Sequence, residues 1–190
     1  MTITDPSDSW MSRTFSMPES DTIQRLKLLV LDVDGVLTDG SLYVDDEGRA
    51  SKRFSIKDGL GIKLWYRAGH KCAIISGHLH PGTGHRFAKL GIEDIALGVS
   101  PKLPVFEALL SQHGLSPEEV AMVGDDIVDL PLLKRAGFAA SVSDGHPLVR
   151  EHCDFVSERP GGDGAVREII EYLLQSKGLF EALVAQEEST

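Results

Sequence analysis

At 190 residues the chain is long enough to bury one full hydrophobic core, and its 42% apolar and 25% charged residues are those of an ordinary water-soluble globular protein. A formal net charge of −10 excludes a general nucleic-acid binder and requires local positive charge around any anionic ligand. No stretch approaches a membrane span, and Cys72 and Cys153, both in apolar strand-like runs, suit buried thiols in a reducing compartment better than a disulfide framework.

Residues 1–23 mix Ser, Thr, Pro and Asp without periodicity and read as a disordered lead. They lack the apolar region of a secretory signal, so a cytoplasmic protein is expected. Leu28-Leu29-Val30-Leu31 is a continuous apolar run, the pattern of a strand buried on both faces of a parallel sheet. Asp32 and Asp34 follow where that strand should end, the edge where ligands sit in open α/β sheets, and two residues apart on a strand they are expected to share a face. Two uncompensated carboxylates so close repel, so the pattern calls for a proton, a basic neighbour or a hard divalent ion.

Ser41 to Ile56 contains two short β-prone runs around an acidic, glycine-containing turn, a hairpin expected to rest against a neighbouring subunit. Lys57-Asp58-Gly59-Leu60-Gly61 reads as punctuation before a helix running from Ile62 to Gly69, with Trp65 on its core stripe. Lys71 to Ile75 is a second buried strand, stopping at Ser76-Gly77-His78, where a hydroxyl and free backbone N–H groups can hold an anion. A helix at Pro81–Leu90 carries Arg86, a third strand covers Asp94–Leu97, and Lys102 opens a helix at Pro101–His113.

Ser116-Pro117-Glu118-Glu119 has the composition of a helix start, and Val120–Val123 is a fourth strand. It ends in Gly124-Asp125-Asp126-Ile127-Val128-Asp129, a second acidic cluster; Asp126 also suits a helix cap. Strands at Phe138–Val142 and Cys153–Val156, a glycine-rich loop at Arg159–Gly164 and an amphipathic helix at Ala165–Leu174 follow. Residues 177–190 form a polar tail with an apolar patch at Leu179–Val184. Alternating strands and helices predict a doubly wound, Rossmann-like parallel sheet with helices on both faces, in which Asp32, Ser76, Lys102 and Asp125 open into one crevice.

Asp32-Val33-Asp34-Gly35-Val36, Ser76, Lys102 and Gly124-Asp125-Asp126-Ile127-Val128-Asp129 together resemble the four-motif signature of the haloacid dehalogenase superfamily. Asp32 to Gly40 with Tyr43, Phe54 with Asp58 to Ile62, Leu90-Gly91-Ile92 and Gly161 to Glu168 resemble the 3-deoxy-D-manno-octulosonate 8-phosphate phosphatases within it. The similarity covers about residues 24–175, giving a phosphatase domain at 24–176 with its hairpin at 41–56 and no separate cap domain.

The resemblance implies that Asp32 is the nucleophile, Asp34 the general acid and base, and Ser76 and Lys102 the phosphate cradle. It implies Mg²⁺ held by the Asp32 carboxylate, the Asp34 backbone carbonyl and Asp125, with Asp129 supporting the metal shell. Substrate contacts are implied for Asp34, Ser55, Ile56, Lys57, Asp58, Gly59, Lys63, Gly77, His78, Arg86, Lys102 and Asp126. It further implies a homotetramer whose glycine-rich segment and tail fold over a neighbour's opening, acting on a small phosphorylated sugar acid.

One departure is His78, where these phosphatases usually carry an arginine. Histidine cannot reproduce the planar fork that binds a carboxylate, so a nine-carbon ulosonate phosphate of the sialic-acid type is the alternative substrate. A phospho-accepting receiver would share the clustered acids, hydroxyl and lysine, but its phosphoacceptor lies on a middle strand. A catalytically idle assembly subunit would not need the intact acid set.

Overall fold

A computed structural model describes residues 20–188 of the chain. Most of the expected disordered lead lies outside the described residues, but its end is helical: α1 spans Ser20–Arg25 and buries Ile23. The chain then runs β1 (Leu28–Leu31), the hairpin strands β2 (Tyr43–Val44) and β3 (Ala50–Ser51), α2 (Ile56–Arg67), β4 (Lys71–Ser76), α3 (Pro81–Leu90) and β5 (Asp94–Leu97). It continues through α4 (Leu103–His113), β6 (Val120–Val123), α5 (Leu130–Leu133), β7 (Phe138–Ser141), α6 (Pro147–His152), β8 (Phe155–Val156), α7 (Ala165–Ser176) and α8 (Phe180–Glu188).

Six strands pair in parallel in the order β5-β4-β1-β6-β7-β8, the doubly wound arrangement expected from the sequence. The chain leaves β1 for one side of the sheet and later returns on the other as β6, with Leu31 paired to Ile74 on one flank and Val123 on the opposite flank. A crevice is forced open where the connections diverge, at the carboxyl ends of β1 and β6.

Alternation along the strands builds two cores. Leu29, Leu31, Ile74 and Val123 face α2, α3 and α7 through Ile62, Trp65, Phe87, Val166 and Ile170. Leu28, Val30, Ile75 and Met122 face α4, α5 and α6 through Phe106, Leu110, Leu132 and Val149. Each such fully buried side chain contributes about 1.5 to 3 kcal/mol relative to exposure, so the layers fix the sheet and the sheet fixes the crevice.

Several boundaries differ from the sequence reading. α2 begins at Ile56 rather than Ile62, because Ser55 caps it by accepting the Lys57 N–H, and Gly59 and Gly61 lie inside the helix. A Cβ at Gly59 would strike the Arg86 guanidinium and one at Gly61 the backbone of Arg167, so these glycines mark close approach rather than a break. Ser116 starts only a 3-10 turn at Pro117–Glu119. α6 has no counterpart in the sequence reading, and the apolar patch of the tail lies on α8 from Phe180 onward, whose Leu183 reaches the core.

The hairpin is shorter than expected and is fastened to its own chain. Tyr43 Oη donates to Asp39 at 2.9 Å, Arg53 Nε donates to Asp39 at 3.1 Å, and His80 Nε2 lies 2.9 Å from the Ala50 carbonyl. Gly161 and Gly162 likewise pack on this chain's own Gly35–Asp39 loop, with the Gly162 N–H donating to the Val36 carbonyl at 3.0 Å. The glycine-rich segment thus abuts the loop after β1 of its own subunit.

Candidate active site

β1 ends at Leu31, and Asp32 extends it by one backbone hydrogen bond, its N–H donating to the Val123 carbonyl at 3.0 Å. Beyond it the chain turns sharply: Thr38, fully buried, donates to the Val33 carbonyl and accepts the N–H groups of Gly35 and Gly40. Because the turn starts before Asp34, the two acids do not share a strand face as expected. Asp32 points to Lys102, whereas Asp34 points to Lys52.

Lys102 bridges two buried carboxylates, donating to Asp32 at 2.8 Å and to Asp129 at 2.7 Å. Burial works against its ammonium, but the two carboxylates overcome this and hold its pKa above the usual lysine value. Burial, helped by the charge of Asp129, pushes Asp32 up to about 6 despite Lys102. Asp129 also accepts the N–H groups of Asp125 and Asp126, so it fastens the loop after β6.

Asp125 issues from that loop and reaches back over Gly35. Gly35 has φ +91°, and a Cβ there would overlap the Asp125 carboxylate. Burial first, then Asp32, Asp129 and Asp126, push Asp125 up to about 8. Its Oδ1 is buried with no hydrogen-bond partner. Oxygens of Asp32, Asp125 and Asp129 lie within 4.8 Å of one another. An all-oxygen set with an orphaned carboxylate oxygen fits a hard divalent cation, which would supply the missing partner and offset the repulsion.

Asp34 stands apart from that acid group. Its Oδ1 lies 2.5 Å from Lys52 Nζ and its Oδ2 3.9 Å from His78 Nδ1. Ser76, buried at the end of β4, accepts the His78 N–H at 3.3 Å. Asp32, Asp34, Ser76, Gly77, His78, Lys102, Asp125 and Asp126 line one crevice of about 220 Å³, which gathers every residue expected to perform the chemistry. Asp126 also caps the 3-10 turn at Ile127–Asp129 by accepting the Ile127 N–H at 2.7 Å.

The remaining residues implied to meet the substrate do not line this crevice. Ser55, Ile56 and Lys57 lie at the start of α2, with Ile56 82% exposed. Lys57 opens onto a separate cavity of about 700 Å³ bounded by Arg159, Arg167 and Glu168. Asp58 is 1% exposed and accepts the N–H groups of Gly164 and Arg167, a cap on α7 rather than a free carboxylate. Gly59 packs on Arg86, Arg86 donates to the Ser55 carbonyl at 3.3 Å, and Lys63 is exposed on α2. Lys52 carries no signal in the sequence, since nothing in the hairpin's pattern identifies Asp34 as its partner.

The chain is similar to known phosphatases along most of its length. A family model for haloacid dehalogenase-like hydrolases matches residues 60–137. The 3-deoxy-D-manno-octulosonate 8-phosphate phosphatase of Escherichia coli K12 is 39% identical over 163 residues, covering 86% of this chain and 87% of that protein. The Moraxella catarrhalis phosphatase of that name, solved with magnesium, phosphate and the sugar acid, superposes with a TM-score of 0.85 at 35% identity over 88% of this chain and 96% of the other. A cobalt-bound Haemophilus influenzae structure gives a TM-score of 0.81 at 38% identity over 85% and 94% of the two chains. With its sheet order, acid clusters and bridging lysine in place, the chain belongs to the 3-deoxy-D-manno-octulosonate 8-phosphate phosphatase family of haloacid dehalogenase-like hydrolases and is a phosphomonoester hydrolase.

Proposed function

We propose that the protein hydrolyses 3-deoxy-D-manno-octulosonate 8-phosphate to the free sugar acid and phosphate, with Mg²⁺ and through an aspartyl phosphate on Asp32. The observation that carries this reading is the convergence of Asp32, Asp125 and Lys102 from separate elements on one crevice, with an Asp125 oxygen left unpartnered. A divalent ion bound by the Asp32 carboxylate, the Asp34 carbonyl and Asp125 supplies charge neutralisation of the phosphate oxygens when present.

The chain's own groups do the rest. An Asp32 oxygen forms a bond to phosphorus while the bond from phosphorus to the sugar oxygen breaks, and Asp34 gives its proton to that oxygen. Asp34, now a carboxylate, takes a proton from water; the hydroxide oxygen bonds to phosphorus and Asp32 leaves, restoring both acids and releasing phosphate. Lys102 and the Ser76 hydroxyl hold the transferring group. Asp34 suits proton traffic because its carboxylate is clear of the acid group around Asp125, while Asp32 is pinned by Lys102 for attack.

His78, exposed beside Asp34, favours keeping a nine-carbon ulosonate phosphate as the second reading. The half-exposed Leu42, Tyr43 and Val44 of the hairpin support a homotetramer, and two buried free thiols suit a reducing cytoplasm. Phosphate release across eight- and nine-carbon ulosonate phosphates, with Mg²⁺ or with chelator, tests the assignment. Highest kcat/KM on the octulosonate ester, abolished by chelator, is expected; no release from any of them with Mg²⁺ present overturns it.

A further inference from the structure

We propose that Lys52, at the foot of the hairpin, is the positioning residue for Asp34. This rests on the proton-transfer role given to Asp34 above. The Lys52 side chain is 1% exposed, its Nζ has no acceptor at hydrogen-bond geometry, and its ion-pair partner among the described residues is Asp34 at 2.5 Å. A buried ammonium is costly unless opposed by negative charge, and Asp34 is the carboxylate that opposes it here.

The neighbouring charges supply one. Asp32, Asp125 and Asp129 gather their oxygens into one group, and the Asp34 carboxylate, only two residues from Asp32, is not part of it. A carboxylate so near a divalent ion would bind it and be lost to proton transfer. Lys52 draws Asp34 Oδ1 to the other side, leaving Oδ2 toward exposed His78, where a leaving group can be met.

The hairpin is braced for this task at two points. His80, which follows the Ser76 loop, lies 2.9 Å through Nε2 from the Ala50 carbonyl, two residues before Lys52. A carbonyl only accepts, so Nε2 carries the proton there. Arg53, the residue after Lys52, holds Asp39 in the loop that follows β1. The two loops that frame the crevice are thereby cross-linked through β3 and the residues just after it, among them Lys52.

The test exploits leaving-group chemistry. A sugar alkoxide needs a proton to depart, whereas nitrophenolate leaves without one. Lys52→Met fills the same buried space without the charge. We expect it to lower kcat on octulosonate 8-phosphate by about 10-fold or more, with KM within about threefold. First-turnover nitrophenolate release from p-nitrophenyl phosphate should stay within about threefold of the unaltered protein, and Lys52→Arg should restore most of the lost kcat.

Equal losses on both esters with weakened Mg²⁺ binding by calorimetry would mark a merely structural residue and overturn the assignment. A raised KM at unchanged kcat would make Lys52 a substrate contact and overturn it too. Asp34→Asn, run alongside, separates the two levels. If it keeps full turnover, the role of Asp34 falls and that of Lys52 with it; if it is inactive while Lys52→Met is unimpaired, only the positioning role falls.

Discussion

The Asp125 carboxylate occupies the space that a side chain at Gly35 would fill, so the loop after β6 closes on the loop after β1 only because residue 35 has no Cβ. Gly35→Ala must displace Asp125 and also adopt φ +91°, a conformation that L side chains rarely adopt. The expected outcome is a loss of about 1 to 3 kcal/mol in chemical denaturation together with loss of Mg²⁺ binding in calorimetry. Wild-type metal affinity in that variant would show that the contact is incidental.

In the proposed reading, with Asp125 as a metal ligand, the protein's response to pH depends on metal. Its folded pKa of about 8 lies above the ordinary carboxylate value of 3.8, so its contribution to stability is complete below that ordinary value and is lost as pH rises through about 8. His70 works the other way, being pushed by burial from 6.5 to about 4, but its contribution is complete above 6.5. From pH 6.5 upward Asp125 therefore sets the trend, and the Tm of metal-free protein should fall toward about pH 9. Asp125→Asn should remove that fall. Calorimetry at neutral pH in buffers of different ionisation enthalpy should show about one proton released on Mg²⁺ binding, and almost none near pH 9.

Lys102 compensates both Asp32 and Asp129, so its removal strands two buried carboxylates. Lys102→Met should destabilise the fold by about 3 to 5 kcal/mol at neutral pH and abolish phosphate release. The penalty should shrink below about pH 6, where Asp32 is protonated, a trend that thermal melts across pH would register. A pH-independent penalty would contradict the charge argument.

Asp58 separates a structural from a substrate-binding role. Its carboxylate accepts two N–H groups at the start of α7, so Asp58→Ala should cost about 0.5 to 2 kcal/mol of stability with KM unchanged. Unchanged stability with a raised KM would return Asp58 to the substrate.

Much of this arrangement was legible in the sequence because it is local. The apolar run at Leu28–Leu31, the acids after it and the cluster after Val123 each declare a strand end, and parallel topology brings strand ends together. What was not legible depends on distant partners. Gly59 and Gly61 look like helix breakers until Arg86 and Arg167 are seen against them. Asp58 looks like one more site acid until α7 arrives more than a hundred residues later. The common face expected of Asp32 and Asp34 failed because Thr38 folds the loop after β1 back on itself. Lys52 sits in a polar hairpin where a lysine is unremarkable, and only burial gives it away. α6, by contrast, carried a proline at its start and a capping His146, a signal present but brief.

In the proposed reaction the phosphoryl group is transferred covalently to Asp32. Rapid mixing with octulosonate 8-phosphate and Mg²⁺, acid quench and peptide mass spectrometry addresses it directly. A transient acyl phosphate on the peptide bearing Asp32, absent without Mg²⁺ and absent in Asp32→Asn, is the predicted result. Phosphate release at full rate with Asp32 never labelled, or undiminished in Asp32→Asn, would contradict the account.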